Sequence, residues 1–297
     1  METLDLFASR PEERQILLSY GGGKDSTAMI AMDLNRDAAA GYLGISRDAL
    51  DKALPAFDRA VFSDPGAEFT ATYQTIEKFK ALLGDRLIVT RKSGENIAEW
   101  CHRLGIVPVM PGGSHVCSKK FKGDVLAAWA RAEGITHPVW LIGIEANEGR
   151  RAKRFTPPDN DTAEYRYPLI DLGLTRSDLD GLMMQLGWPD VHKSSCVFCP
   201  YMSESEIRDL YLNHPDDWKR VTAIEERFRQ TSAIKHQAWI NAGQPLNSAG
   251  RAPKGMWRYD SWASGARLFS KSIDGRRLSV HEWAQRCENI ITRTVAA

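Results

Sequence analysis

Short apolar runs alternate with stretches of helical periodicity through the first half of the chain. Each run has the length of a buried strand, and each following stretch places apolar residues at the spacing of one helix face. This alternation predicts the α/β class, with a Rossmann-like, doubly wound parallel sheet covered by helices on both faces. Ligands of such sheets bind at the carboxyl ends of the strands, so the chemistry is expected there. The apolar runs lie at residues 16–18, 60–62, 87–89 and 139–143, and the helical stretches at 70–83, 96–104 and 119–132.

The pattern changes after residue 171, where amphipathic helical segments replace the apolar runs, as at 205–212 and 218–231. We therefore expect an α/β domain over residues 1–180 and a smaller, mainly helical region over residues 181–297 that carries a C-x-x-C pair. The tract 155–161 contains paired prolines and three Asn or Asp residues, which favour an irregular loop.

Composition narrows the function classes only a little. The 297 residues carry 39 Lys and Arg against 38 Asp and Glu, so the whole chain has no electrostatic signature of nucleic-acid binding. The first residues lack the apolar core of a signal peptide, and no run approaches a membrane span, so we expect a cytoplasmic protein with no membrane partner. Five unevenly spread cysteines favour thiolate chemistry or metal binding over a disulfide framework.

A glycine-rich loop between the first apolar run and the first helical stretch is the strongest local signal. Glycines let the backbone approach an anion closely, and the N–H groups at the start of the helix point at it. The order differs from the G-x-x-x-x-G-K-[ST] loop, since an aspartate follows the lysine, and a plain tight turn is the alternative interpretation. The residues expected at the anion are Ser19, Gly21, Gly22, Gly23, Lys24, Asp25 and Ser26.

Two further segments follow predicted strands and can meet a nucleotide. Asp64 and Glu68 come after the second apolar run, where a carboxylate can accept hydrogen bonds from a ribose or an adenine amine. Acidic residues at a helix start are the alternative interpretation. Gly143 ends the fourth run, and a basic cluster follows it. The cluster can meet phosphates of a nucleotide or polynucleotide, although a solvated loop explains it equally well. The cluster consists of Arg150, Arg151, Lys153 and Arg154.

Three of the cysteines can form a thiolate set. Cys196 and Cys199 belong to the C-x-x-C segment, which can hold half of a metal site or form a redox dithiol. Cys117 precedes a basic helix start. Uncoordinated thiols are one alternative, and a structural zinc ion with a histidine as fourth ligand is another. The histidines near these cysteines are His115 and His192.

Taken in order over residues 14–215, these segments resemble the phosphoadenosine phosphosulfate (PAPS) reductase-like family of the PP-loop ATP pyrophosphatases, which have a HUP-type fold. The loop resembles S-G-G-x-D-S, with Gly21 in the place of the first serine. The segment from Asp64 to Thr72 resembles D-T-G-x-E-F-x-E-T, and residues 167–171 match Y-P-L-I-D. Residues 143–151 resemble G-I-R-x-x-E-S-x-R, but Glu145 replaces the arginine, and this reversal of charge favours a different substrate.

The resemblance implies an ATP-dependent sulfurtransferase. ATP held by the loop adenylates an acceptor oxygen and releases pyrophosphate, with Lys24, Asp25 and Ser26 as catalytic residues and Mg²⁺ offsetting the phosphate charge. The implied acceptor is a nucleic acid, either a tRNA base or a DNA backbone phosphate as in DNA phosphorothioation. The implied sulfur source is a cysteine desulfurase or another donor.

The same resemblance implies a [4Fe–4S] cluster held by Cys117, Cys196 and Cys199, as in tRNA thiolation enzymes. Three protein ligands leave one iron open for a sulfide, which then displaces AMP from the acceptor. Zn²⁺ is the alternative metal.

Two other functions stay open. A PAPS or adenylyl sulfate reductase attacks sulfur with a cysteine in a carboxyl-terminal E-C-G-x-H segment, whereas Cys287 lies in R-C-E-N. Cys287 and Cys101 lie in helical patterns and are expected to be packing residues. The second alternative is a zinc-stabilised nucleotide or nucleic-acid binding module without turnover. Tryptophans and basic residues alternate over 251–277, which favours either a nucleic-acid contact or a small core.

Overall fold

The computed structural model describes residues 14–108, 116–153, 162–188, 191, 193–252 and 267–295. These residues divide into two units whose segments interleave along the chain. The first unit contains the described parts of Met1–Asp64, Phe69–Arg91 and Lys122–Ser194, and the second those of Pro65–Glu68, Lys92–Phe121 and Ser195–Ala297. The chain thus enters the second unit twice before residue 122. The domain boundary at residue 180 stays a prediction.

A five-stranded parallel sheet forms the centre of the first unit, which confirms the predicted α/β class. The strand order is β3-β2-β1-β4-β5. Four strands coincide with the apolar runs, whereas the edge strand β5 has no apolar run and was not predicted. The strands are β1 Ile16–Tyr20, β2 Arg59–Asp64, β3 Leu87–Arg91, β4 Val139–Ile142 and β5 Glu164–Arg166.

The two faces of the sheet bury neighbouring residues of the central strands β1 and β4 on opposite sides, as expected for a doubly wound sheet. On one face Leu18 and Leu141 lie in the larger apolar core with Met29. On the other face Leu17 and Trp140 pack in a second cluster. The helices of this unit are α1 Lys24–Leu34, α2 Arg36–Leu43, α3 Arg47–Ala53, α4 Thr70–Leu83, α6 Asp124–Ala132, α7 Gly149–Ala152, α8 Pro168–Asp171 and α9 Arg176–Gln185.

The direction of the strand order reverses between β1 and β4. From β1 the chain proceeds through β2 to β3 on one side, and β4 then returns to pair with β1 on its other side. This reversal is the topological switch point, outside which ligands of open α/β sheets bind.

The second unit is mainly helical, as expected of the carboxyl-terminal region. Its helices are α5 Ile97–Leu104, α10 Glu204–Asn213, α11 Pro215–Asn241 and α12 Val280–Val295, beside a hairpin of β6 Ser272–Ile273 and β7 Arg276–Arg277. The stretch 96–104 was expected to cover the sheet, but α5 belongs to this unit. Within the described residues, no helix combines the length and apolar character needed to cross a membrane.

Candidate anion site at the switch point

The glycine-rich loop joins the end of β1 to the start of α1, as the sequence predicts. Gly23 caps α1 in an extended conformation and has no side chain to occupy the first N–H groups of the helix. Ser26 closes the loop internally, because its Oγ accepts a hydrogen bond from Gly21 N at 3.1 Å and donates one to Gly23 O at 3.3 Å. The loop therefore presents backbone N–H groups at the switch point, a suitable position for an anion.

Two of the glycines are required by close packing. Gly22 has a φ of +70°, and a Cβ there would lie 3.1 Å from Thr72 Cγ2. Gly143 follows β4, and its Cβ would lie only 2.8 Å from the backbone N of Ser26. Gly143 thus lets the chain after β4 touch the first turn of α1; its predicted contact with a nucleotide stays a prediction.

Gly21, in contrast, is not required by packing. Its φ is not positive, and a Cβ would lie 3.9 Å from Ser26 Oγ, an ordinary contact. A serine, the residue of the S-G-G-x-D-S pattern, would therefore fit at position 21. Ser19 lies half-buried within β1.

Helix α9 supplies charged partners for the loop that sequence reasoning missed. Lys24 Nζ lies 2.5 Å from Asp180 Oδ1, and Asp25 Oδ1 lies 2.6 Å from Arg176 Nη1. The second contact is an ion pair rather than a hydrogen bond of good geometry. Thr175 and Asp178 form a capping box that anchors the start of α9 beside the loop.

Burial controls the titration of Asp25. Desolvation raises the pKa of this carboxyl, and the nearby Glu148 and Glu145 raise it further, while Arg176 opposes them. The Glu145 carboxylate is itself buried and accepts a hydrogen bond from Asn147 N at 3.1 Å. Glu145, which stands where the G-I-R-x-x-E-S-x-R pattern has an arginine, therefore caps the turn after β4.

The predicted basic cluster after β4 is solvent-exposed in its described part. Arg150 and Arg151 lie on α7, and Arg151 pairs with Glu148 at 3.0 Å. Arg154 lies outside the described residues. A contact of Arg150 or Arg151 with phosphate stays a prediction.

Ser194 is a further hydroxyl at the loop that the sequence did not single out. A Cβ on Gly23 would lie 2.9 Å from Ser194 Oγ, so this side chain lies directly against the loop. A serine two residues before a C-x-x-C segment carries no signal for such a contact. It adds a donor beside those of Lys24 and Arg176.

Asp64 is buried at the end of β2, as predicted, but its carboxylate already has partners. Only 3% of the residue is exposed. Tyr73 Oη donates to Oδ1 at 2.8 Å, and Arg91 Nη2 lies 2.5 Å from Oδ2. A nucleotide contact by Asp64 stays a prediction, one that requires a ligand to compete with these groups.

Glu68 lies against the C-x-x-C segment of the second unit. It forms an isolated antiparallel bridge with Cys196, and Cys196 Sγ donates to Glu68 Oε1 at 3.8 Å. Val197 N also donates to Ala67 O at 2.9 Å. The sequence grouped Glu68 with Asp64 at a nucleotide, whereas the structure places the two in different units.

The cysteines divide into two sets. Cys196 and Cys199 lie in a tight turn closed by the bond from Cys199 N to Cys196 O at 3.0 Å, and Cys117 begins a π-helical turn at Cys117–Gly123. Among the described residues no three His, Cys, Asp or Glu side chains are close enough to hold a metal ion, so these three thiols are not gathered as a ligand set. His115 and His192 lie outside the described part of the chain.

The other two cysteines are fully buried, as expected of packing residues. Burial raises the pKa of Cys101 to about 12 and also raises that of Cys287. Cys287 is 2% exposed within α12. A buried neutral thiol is a poor nucleophile, which argues against Cys287 as the attacking cysteine of a reductase.

A cluster of lysines and aromatic rings lies beside Cys117 in the second unit. Lys120 Nζ lies 4.6 Å from the centre of the Trp100 ring, and Lys92 Nζ lies 6.0 Å from that of Phe121. The rings of Trp100 and Phe121 meet edge to face at 5.7 Å. We call these four residues the lysine–aromatic cluster. In the alternating basic and tryptophan stretch at 251–277, residues 253–266 lie outside the described residues.

Comparison with known proteins identifies no family. No protein-family model matches the chain, and the search of curated proteins found no match. The chain is similar to the crystal structure of PAPS reductase from Candida auris in a phosphate complex, with a TM-score of 0.35 and 14% identity over 62% of this chain and 76% of that one. Likeness at this level carries no functional argument, and the fold class rests on the sheet described above.

Proposed function

We propose that this chain is a PP-loop enzyme that binds ATP at residues 19–26 and cleaves it between the α and β phosphates. The main support for this proposal is the position of the glycine-rich loop in the sheet. Gly21 to Gly23 leave β1 and Gly143 leaves β4, so both lie at the switch point of the sheet. Uncapped N–H groups and the ammonium group of Lys24 suit a polyphosphate at this place, and the hydroxyl group of Ser26 can join them by exchanging its bond to Gly23 O for one to a phosphate.

In the proposed reaction an acceptor oxygen attacks the α-phosphorus of ATP. The new bond joins that oxygen to the AMP moiety, the bond from the α-phosphorus to the bridging oxygen breaks, and pyrophosphate leaves. Lys24 and the loop N–H groups stabilise the charge on the phosphates, and a Mg²⁺ ion bound with the nucleotide would offset part of that charge. A sulfide from the donor then attacks the adenylated centre of the acceptor, and the former acceptor oxygen leaves with AMP.

We further propose that Cys117, Cys196 and Cys199 hold the metal centre, a [4Fe–4S] cluster or alternatively Zn²⁺. The C-x-x-C turn suits two ligands of either centre, because thiolates bind both. Among the described residues the three thiols are not gathered as one ligand set, so no step of the reaction is derived through the metal.

A nucleic acid is the proposed acceptor, either DNA or tRNA. The lysine–aromatic cluster supports this choice, because Lys92 and Lys120 can pair with phosphates and the half-buried ring of Trp100 can stack with a base, whereas Phe121 is buried beneath them. The formal net charge of +1 neither favours nor excludes a nucleic-acid acceptor.

Lys24→Ala is expected to slow pyrophosphate release by about a hundredfold, as when one preorganised charge-stabilising group is removed. The measurement is the release of AMP and pyrophosphate from ATP in the presence of DNA or total tRNA. Lys78→Ala is the matched control, because Lys78 is an exposed lysine of the same unit, on α4.

Each rival function predicts a different result in this assay. ATP binding without pyrophosphate release by the wild type indicates the binding module. Release of sulfite from PAPS with thioredoxin and without ATP indicates a reductase. Equal rates for Lys24→Ala and the wild type would contradict the assignment of Lys24.

Anaerobically purified wild-type protein is expected to contain iron and acid-labile sulfide, with the absorption of a [4Fe–4S] cluster. Cys196→Ala and Cys199→Ala are expected to lose the metal, because each removes one ligand. Cys287→Ala is the control, since Cys287 is buried in α12 and is expected to leave the metal content unchanged. A colourless protein with stoichiometric zinc rejects the cluster, and a wild type without metal rejects the metal centre.

A further inference from the structure

Helix α9 contacts the candidate anion loop through two crossed ion pairs. Its first residue, Arg176, pairs with Asp25, and Asp180, one turn later, pairs with Lys24. Residues four apart lie on the same helix face, so one face of α9 meets both charged residues at the start of α1.

The position of α9 is fixed independently of these charges. Leu179, Leu182 and Met183 are buried in the core of the first unit, and the capping box of Thr175 holds the helix start. The two pairs therefore depend on a rigidly packed helix rather than on the chance orientation of a surface loop.

The two pairs differ in how easily a ligand can break them. Asp180 has 49% of its side chain exposed, so it can release Lys24 and be solvated by water. Asp25 has only 13% of its side chain exposed, and loss of Arg176 would leave this carboxylate poorly compensated. A polyphosphate is thus expected to displace Asp180 but to leave Arg176 beside Asp25.

Arg176 can serve Asp25 and a phosphate together. A guanidinium carries five N–H donors in a planar fork, and the pair with Asp25 engages Nη1. The remaining donors are available to an anion, and Arg is suited to phosphate by its geometry and fixed charge.

We propose that α9 is a second phosphate-binding element of this site. Arg176 binds the polyphosphate while it holds Asp25, and Asp180 is a positioning residue that occupies Lys24 until a polyphosphate displaces it. The inference rests on the proposed function and deepens it, because it makes the site selective for ligands with enough negative charge to displace Asp180.

The test is equilibrium binding of ATP and, separately, of inorganic pyrophosphate to the full chain at constant ionic strength. Asp180→Asn is expected to tighten both by about two- to fivefold, the value of a partly exposed ion pair. Arg176→Ala is expected to weaken both by about tenfold or more, with only partial recovery in Arg176→Lys. Thermal melting identifies any variant that fails to fold. If Arg176→Ala does not fold, Arg176→Gln takes its place in the binding measurement.

Removal of an acid near a phosphate tightens binding by simple electrostatics as well, so two controls are needed. Glu148→Gln removes a nearby carboxylate that pairs with Arg151 and not with Lys24, and a smaller gain is expected. In a Lys24→Ala background the gain from Asp180→Asn should shrink, because the exchanged partner is missing.

The outcomes separate the inference from the proposed function. A wild type that binds neither ATP nor pyrophosphate refutes both. If the wild type binds both ligands, two results refute the role of α9 alone. One is an equal gain in affinity from Asp180→Asn and Glu148→Gln, and the other is an unchanged affinity in Arg176→Ala. A gain specific to Asp180→Asn that depends on Lys24, with a loss in Arg176→Ala, supports it.

Discussion

Gly143→Ala is expected to abolish nucleotide binding and to destabilise the first unit. The added Cβ would lie 2.8 Å from Ser26 N and 3.1 Å from Ser26 Cα, and these are backbone atoms that cannot rotate away. Overpacking of this kind costs about 1–3 kcal/mol, because strand end and helix start must move apart. The movement displaces the N–H groups of the α1 turn that we assign to the phosphates.

Urea unfolding followed by circular dichroism measures the loss of stability, and ATP binding measures the loss of function. Gly149→Ala is the matched control, since it lies on the same segment after β4 with helical φ and nothing within 4 Å of its Cβ. There an alanine is expected to be neutral or to stabilise by about 0.5–1 kcal/mol. ATP affinity unchanged from wild type in Gly143→Ala would show that the close approach does not shape the site.

Glu225→Ala is expected to cause the second large effect, a loss of about 2–5 kcal/mol of stability in the second unit. Glu225 lies on α11 and is 2% exposed. Its two carboxylate oxygens accept hydrogen bonds from Leu268 N at 2.8 Å and Val280 N at 2.9 Å. The substitution leaves two buried donors without acceptors, and Val280 begins α12.

The measurement is again the free energy of unfolding, with two comparison variants. Glu225→Gln keeps one acceptor oxygen and should lose about half as much stability. Glu226→Ala changes the exposed neighbouring residue and should stay within about 0.5 kcal/mol of the wild type. Equal stability of Glu225→Ala and Glu226→Ala would show that the buried carboxylate does not join these segments.

Glu225 also makes the free energy of unfolding depend on pH. Burial raises the pKa of Glu225 above its ordinary 4.5, although its two backbone donors oppose the shift. A raised folded-state pKa means that the folded protein binds the proton more tightly than the unfolded chain. The stability contributed by this proton is full below the unfolded pKa and is lost as the pH rises through the folded pKa. The stability difference between wild type and Glu225→Ala should therefore shrink as the pH rises from 4.5 through that window.

The strands and the loop could be predicted because their signals are local. Four apolar runs became β1 to β4, and the glycine-rich segment became the turn before α1. The edge strand β5 could not be predicted in this way, because only Glu164, Tyr165 and Arg166 form it and none is fully buried. Its pairing with β4 is a property of the sheet rather than of its own composition.

The contacts between distant segments were not predictable from spacing. Nothing in the sequence around Arg176 or Asp180 separates them from the charged residues of any exposed helix, yet the packing of α9 places both at the loop. Glu68 shows the reverse case. It stands four residues after Asp64, but its partner is Cys196, 128 residues further along the chain.

The sequence by itself determined the α/β class, the glycine-rich loop between β1 and α1, and the identity of the groups that this loop can offer. These features depend on periodicity and on backbone conformations that only a few residue types allow. The tertiary structure alone decided which charges surround the loop and which unit holds Glu68. It also decided that position 143 has no room for a side chain. The physical reason is that ion pairs and close backbone contacts depend on distances in space, which the packing of the hydrophobic core sets for residues far apart in the chain.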